Sequence, residues 1–191
     1  MFRRVIALLF LATVGSSAAA DEVPPGFLYA GPLLNIHAPG THGWSLLQSP
    51  SQGMEFARAG ATKGSSFGAQ VLPFEAPEFS TPDAFVDAIR QGARQDSSSD
   101  RFRVIDEHYE YDDQRGYPCV RSTSLVEDKE AKVSMFNKMT LLIENHALYC
   151  IHPKDNGLGF AAIYSYRGPE RHDSLEIEAK NFIGGIQVPG E

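Results

Sequence analysis

Between residues 102 and 166 the chain runs through four segments, 102–111, 117–126, 140–151 and 158–166, each rich in β-branched or aromatic residues. Such side chains suit the pleated surface of a strand. The turn-forming sequences Asp112-Asp113-Gln114-Arg115-Gly116 and Lys154-Asp155-Asn156-Gly157 separate members of the set. Leu141-Leu142-Ile143 and residues 159–163 are nearly continuous apolar runs. A half-exposed strand alternates polar with apolar positions, so these runs predict strands covered on both faces. The chain is therefore committed to a sheet with something packed on each side.

The earlier part supplies candidates for those covers. Residues 21–43 hold Pro24, Pro25, Pro32 and Pro39 and read as an extended, proline-rich arm. Trp44-Ser45-Leu46-Leu47 reads as a first strand, Ser49-Pro50-Ser51-Gln52-Gly53 as a turn, and residues 54–59 and 65–74 as further strands. A helix is expected after Thr81, with Thr81 or Ser80 as its cap, Pro82 in its first turn and Asp83 at the positive end of its dipole. Phe85, Ala88, Ile89, Gly92 and Ala93 recur on one face of it. A closing helix is expected from Asp173, with Glu176 as capping-box partner, a stripe of Leu175, Ala179, Phe182, Ile183 and Ile186, and a stop at Gly184-Gly185. Strands, helix, strands and helix make an α+β plan: an antiparallel sheet flanked by helices.

The first twenty residues carry an address. Arg3-Arg4 is followed by an apolar stretch of about ten residues and then by Ala18-Ala19-Ala20. That is the order of a secretory signal peptide, with cleavage expected before Asp21. The apolar stretch is half the length that a membrane span needs. Three parts follow: a signal peptide over 1–20, an arm over 21–43 and one α+β domain over 44–188. Cleavage removes two arginines and no acids from a chain with 17 basic and 24 acidic residues, deepening its negative charge. An acidic domain is poorly suited to a phosphate backbone, so no nucleic-acid partner is expected.

Cys119 and Cys150 are the two cysteines of the sequence. In an oxidising compartment an even pair reads as a disulfide. A hairpin turning near Ser134-Met135 would bring Cys119 opposite Cys150, within reach of a short bridge. C-x-x-C spacing, the mark of a redox or metal pair, is absent.

The strand that passes from Trp44 through Ser49-Pro50 to Met54-Glu55-Phe56, the helix from Pro82 and the closing Ala179-Lys180-Asn181-Phe182-Ile183 resemble the PsbP-like fold. That fold is an antiparallel sheet sandwiched between helices, found in extrinsic photosystem subunits and in a small nuclear-transport factor. The resemblance implies an α/β/α sandwich over most of residues 44–188, and accessory or partner-binding work more often than catalysis. It carries no binding residue onto this chain.

Chemistry is harder to place. The histidines are His37, His42, His108, His146, His152 and His172. His146 and His152 share strand parity with Cys150, so a metal site would need them to converge with a carboxylate. Asp106, Glu107, Glu110, Asp112 and Asp113 surround His108, but alternate strand residues point to opposite faces and the set lacks the spacing of a Ca²⁺ loop. Ser134 and Lys138 lie four apart, not at the S-x-x-K spacing of a serine–lysine nucleophile, and G-x-S-x-G is absent. Tyr109, Tyr111, Tyr117, Tyr149, Tyr164 and Tyr166 crowd the strand-rich part, as a wall between sheet and helix or as a ligand platform. No catalytic residue, cofactor or metal ligand is assigned. The sequence points to a periplasmic or secreted, non-catalytic protein that binds an envelope partner or small ligand. A small hydrolase with His108 or His146 as base, and a metal carrier using His146 and His152, are the alternatives.

Overall fold

The structure, a computed structural model, describes residues 22–48, 53–95, 100–132 and 138–190. Residues 1–20, where a signal peptide is expected, lie outside that set, as do Ser134-Met135 and residues 49–52. In chain order the elements are β1 (Leu28–Ala30), β2 (Asn35–His37), β3 (Ser45–Gln48), β4 (Met54–Ala59), β5 (Ser66–Glu75) and α1 (Pro82–Gln95). They continue as β6 (Phe102–Asp112), β7 (Cys119–Lys132), β8 (Lys138–His152), β9 (Asp155–Gly168), α2 (Leu175–Gly184) and β10 (Ile186–Gln187).

Seven strands form one antiparallel sheet in the order β3-β4-β5-β9-β8-β7-β6. Two meanders, β3–β5 and β6–β9, meet where β5 pairs β9 from Ser66↔Arg167 to Glu75↔Leu158. β9 is thus the middle strand, and Phe160 to Tyr166 are buried without interruption. The apolar run predicted a strand covered on both faces, and central placement is the reason for it.

Parity divides the core in two. On one face Phe56, Phe67, Leu148, Phe160, Ala162 and Tyr164 pack with Leu175, Ala179, Phe182 and Ile183 of α2. On the other, Phe74, Val120, Ala147, Tyr149, Ala161 and Ile163 pack with Phe85, Val86 and Ile89 of α1. The tyrosines are shared between both faces as walls: Tyr109, Tyr111 and Tyr149 with α1, Tyr117, Tyr164 and Tyr166 with the α2 core. The described residues form a sheet-dominated α+β fold with two helices and one disulfide.

The hairpin register places Cys119 opposite Cys150, and the two are bonded with their Cα atoms 4.0 Å apart. Thr81 caps α1 through its Oγ1, which accepts from Ala84 N at 3.2 Å. Several local expectations shift. The N-cap of α2 is Ser174, one residue after Asp173, and its side chain makes no cap bond; the hydroxyl donates instead to Glu178 at 2.7 Å. The β8–β9 turn lies at Pro153-Lys154, so Asp155, Asn156 and Gly157 already belong to β9. The proline-rich arm is extended, and it is also paired. β2 lies between β1 and β10 in a separate three-stranded sheet, which packs Ile36 and Ile186 into the α2-side core.

Candidate functional site

The helix α1 covers only part of its face of the sheet. Beyond Ala93 and Arg94 in its last turn, the face opens as a groove of about 110 Å³. Strand register sets the floor in rows. Val126, Ile143 and Arg167 form one row; Ser124, Asn145 and Ser165 form the next; Ser122, Ala147 and Ile163 run beneath the helix edge. Ser66 and Gly68 of β5 extend the first two rows through their pairing with Arg167 and Ser165. Val104, Glu107 and Tyr109 of β6 make the side wall.

One end of the groove is an ionic centre. Asp128, 0 % exposed, receives Arg101 Nε at 2.8 Å and Arg101 Nη2 at 2.7 Å, a two-pronged pairing. Arg167 Nη2 donates to its Oδ2 at 3.0 Å and Glu130 N to its Oδ1 at 3.1 Å. Burial pushes the Asp128 carboxyl up, but the arginine and backbone donors outweigh it and hold the group below the ordinary carboxylate range. Arg167 engages Asp128 through one nitrogen; its remaining donors have no protein partner among the described residues. At the helix end Arg94 pairs with Glu107. Burial, and next the Glu107 charge, raise the Tyr109 phenol, which stays protonated. Asn145 Nδ2 donates to Ser124 Oγ at 3.1 Å, and Ser165 Oγ to Gly68 O at 3.3 Å. The groove thus combines fixed donors, an aliphatic flank and guanidinium groups held in place by a buried carboxylate.

A second polar cluster lies on the opposite face and pins α2. Glu178 accepts from Tyr164 Oη at 2.7 Å, Arg58 Nη2 at 3.1 Å and Ser174 Oγ at 2.7 Å. The Arg58 guanidinium lies 4.1 Å from the Phe67 ring centre and 5.1 Å from that of Trp44. Burial raises the Glu178 carboxyl, and the Tyr164, Ser174 and Arg58 contacts more than reverse that. Tyr164 is driven upward, first by burial and then by Glu178. Ser174 Oγ lies 3.2 Å from His172 Nδ1, but its proton is committed to Glu178. It is therefore an acceptor toward the imidazole, the reverse of an activated nucleophile.

The histidines do not converge. His152 is buried; its Nδ1 accepts from Lys154 N at 3.3 Å, which leaves Nε2–H to donate to Leu33 O at 3.2 Å. His146 sits on the α2 face, 3.8 Å from Glu144, with its Nε2 buried and without a hydrogen bond. A register shift after Ile151 separates the two further. Burial lowers the His146 pKa, and the opposing pull of Glu144 does not restore it. His108 is exposed beside Glu110 at 3.6 Å, and His42 is exposed beside Glu22 at 3.7 Å. His37 meets Gly26 O at 3.1 Å. Among the described residues no three histidine, cysteine or acidic side chains gather as a metal site.

The acids near His108 divide as strand parity requires. Glu107 turns to Arg94 on the groove side, whereas Asp112 pairs with Arg121 at 2.5 Å on the other. β6 is the sheet edge, so this is a charged edge strand. Ser134 lies outside the described residues, and Lys138 opens β8. Of the groove residues, Glu107, Tyr109, Tyr149 and Ile143 stand out in the sequence, but the groove's polar floor and its arginines do not. Their signal was available: Ser122, Ser124, Asn145 and Ser165 interrupt the apolar parity of strands whose same-face neighbours are Val120, Ala147 and Ile163.

No protein-family profile matches the chain, and no curated protein matches it. Solved structures similar to it include a point mutant of protein Mog1, at TM-score 0.41 and 14 % identity, covering 88 % of this chain and 95 % of that one. Another is the human StarD13 (DLC2) lipid transfer and protein localization domain, at TM-score 0.30 and 13 % identity, covering 73 % and 81 %. Likeness at this level carries no functional inference.

Proposed function

We propose that this is an exported, non-catalytic ligand-binding protein and that the groove beside α1 is its binding site. The observation that carries the reading is the groove itself: a sheet face left uncovered by its helix, floored by Ser122, Ser124 and Asn145 and closed at one end by the Arg101–Asp128–Arg167 centre. Ligand sites are concave, with apolar walls and a few polar groups held in place. Fixed donors lower the ordering cost of binding. The Cys119–Cys150 disulfide is consistent with a periplasmic or secreted setting. Among the described residues no helix is long and apolar enough to cross a membrane. The sandwich arrangement of the PsbP-like fold, and the accessory work that goes with it, belong to the same proposal.

The test is a fragment screen by ¹H–¹⁵N NMR on the disulfide-bonded protein. Hits should shift the amides of β7 and β8 around Ser124 and Asn145. Ser124→Trp, which fills the floor, should abolish those shifts while leaving the fold intact. Hits that map only to the α2 face, or hits indifferent to Ser124→Trp, would overturn the assignment.

A further inference from the structure

The charge inside the groove runs against the charge of the chain. The sequence holds 24 acids against 17 basic residues. Among the lining residues Arg94, Arg101 and Arg167 outnumber Glu107 and Asp128 by one, and Glu130, outside the lining, adds its pull on Arg101. Arg94 is taken by Glu107, and Arg101 spends two nitrogens on Asp128. Arg167 is the guanidinium with donors to spare, since it is held through one nitrogen only. Arg167 shares its row with Ile143 and Val126, and Ser124 and Asn145 lie one row away. A negative head on Arg167 would meet further donors from these side chains, while an apolar tail would run along Val126, Ile143 and the side wall.

We infer that the groove takes a small amphipathic anion: one oxyanion head against Arg167, with a short hydrocarbon tail lying on the aliphatic flank. This deepens the groove reading and rests on it. Guanidinium groups pair with carboxylate and phosphate oxygens in a planar, directional way that an ammonium does not match. Holding Arg167 on a buried carboxylate keeps that donor set in place before ligand arrives. The same guanidinium disfavours a cationic head beside it.

The experiment compares octanoate, octyl phosphate, octanol and octylamine by NMR titration of the disulfide-bonded protein. Octanoate or octyl phosphate should saturate shifts at Ser124, Asn145 and Ile143, and the tighter of the two identifies the head. Octanol should bind at least tenfold more weakly and octylamine should not bind. Arg167→Met keeps the aliphatic stem and leaves the Arg101–Asp128 pair, and should weaken anion binding at least tenfold with octanol unchanged. Should that variant fail to fold, Val126→Glu, on a half-buried site of the same row, provides the second test. It lies under the tail and weakens all the probes, but octanoate and octyl phosphate should lose at least tenfold more affinity than octanol, and equal losses would overturn the anion preference. Octanol or octylamine binding the groove as tightly as octanoate overturns the anion preference and leaves the groove reading standing. Absence of groove shifts with all four probes overturns the anion inference and counts against the groove reading.

Discussion

Asp128 shows how little a residue's neighbours in sequence say about its environment. It sits in Val126-Glu127-Asp128-Lys129-Glu130, a run that reads as a solvated strand end. Its partners Arg101 and Arg167 are 27 and 39 residues away; the pairing of β6 with β7 brings the first, and the pairings of β7 with β8 and of β8 with β9 bring the second. Removing one partner of a buried ion pair costs far more than the pair contributes, because it strands the other charges. Asp128→Asn should therefore destabilise the fold by about 3 kcal/mol, read as a fall in the urea midpoint at neutral pH. The pH dependence has a definite sign. The folded carboxyl titrates below its unfolded value, so its contribution is complete above the ordinary carboxylate pKa of about 3.9 and is lost as pH falls through the lower, folded value. Wild-type stability should decline across that acid window, and Asp128→Asn should decline less steeply. Equal acid slopes for the two proteins would refute the role given to this carboxylate.

At the level of elements, local rules were enough wherever one strand or one helix turn decided the outcome. Thr81 and Pro82 open α1 because a hydroxyl acceptor and a preset φ meet at its first turn. Thr81→Ala should cost about 1 kcal/mol by denaturant titration. Cys119 and Cys150 pair because β7 and β8 form a hairpin whose register sets them opposite one another, as an even cysteine pair and a turn near residues 134–135 lead one to expect. The bridge spans 31 residues, and on chain-entropy grounds it should contribute between about 3 and 4 kcal/mol. A Cys119→Ser, Cys150→Ser double variant should unfold at correspondingly lower denaturant, with a steeper slope because its unfolded chain, freed of the cross-link, exposes more surface. The cap of α2 was misplaced by one residue for an instructive reason. Capping-box chemistry at Asp173 competes with the half-buried Glu178, which draws the Ser174 hydroxyl away from the backbone and toward Arg58 and Tyr164. A tertiary contact of that kind leaves no periodic trace in the chain.

The two ends of the described chain are tied together, and that tie is a property of the whole molecule. Proline composition makes residues 21–43 extended but is silent on what they pair with, since β10 has only Ile186 and Gln187 and no pattern of its own. In the fold β2 takes β1 on one side and β10 on the other, with Ile186↔Ile36 and Gln187↔Asn35 in register. Arg115, from the turn between β6 and β7, fastens the end of the chain by donating to Ile183 O and Ile186 O, each at 2.6 Å. His152 reaches Leu33 O, and His37 N donates to Gly185 O at 3.3 Å. The small sheet is held by these bonds and by the side chains it buries in the α2-side core. Its ladders, however, are two and three residues long, whereas β8 and β9 are long strands paired on both sides within the large sheet. Short ladders at the border of a fold open at lower free energy than a central sheet, and they open as units. Truncation after Gly185 removes two fully or nearly fully buried side chains, Ile186 and Val188, worth roughly 3 kcal/mol or more together. In native-state hydrogen exchange the truncated protein should lose protection at the paired amides of β1 and β2, far from the cut in sequence. The amides of β9 should keep their slow exchange, because neither neighbour of that strand is touched. Protection lost uniformly across both sheets would mean that the small sheet is integral to the main cooperative unit, and protection retained at β2 would mean that β10 contributes nothing to holding it.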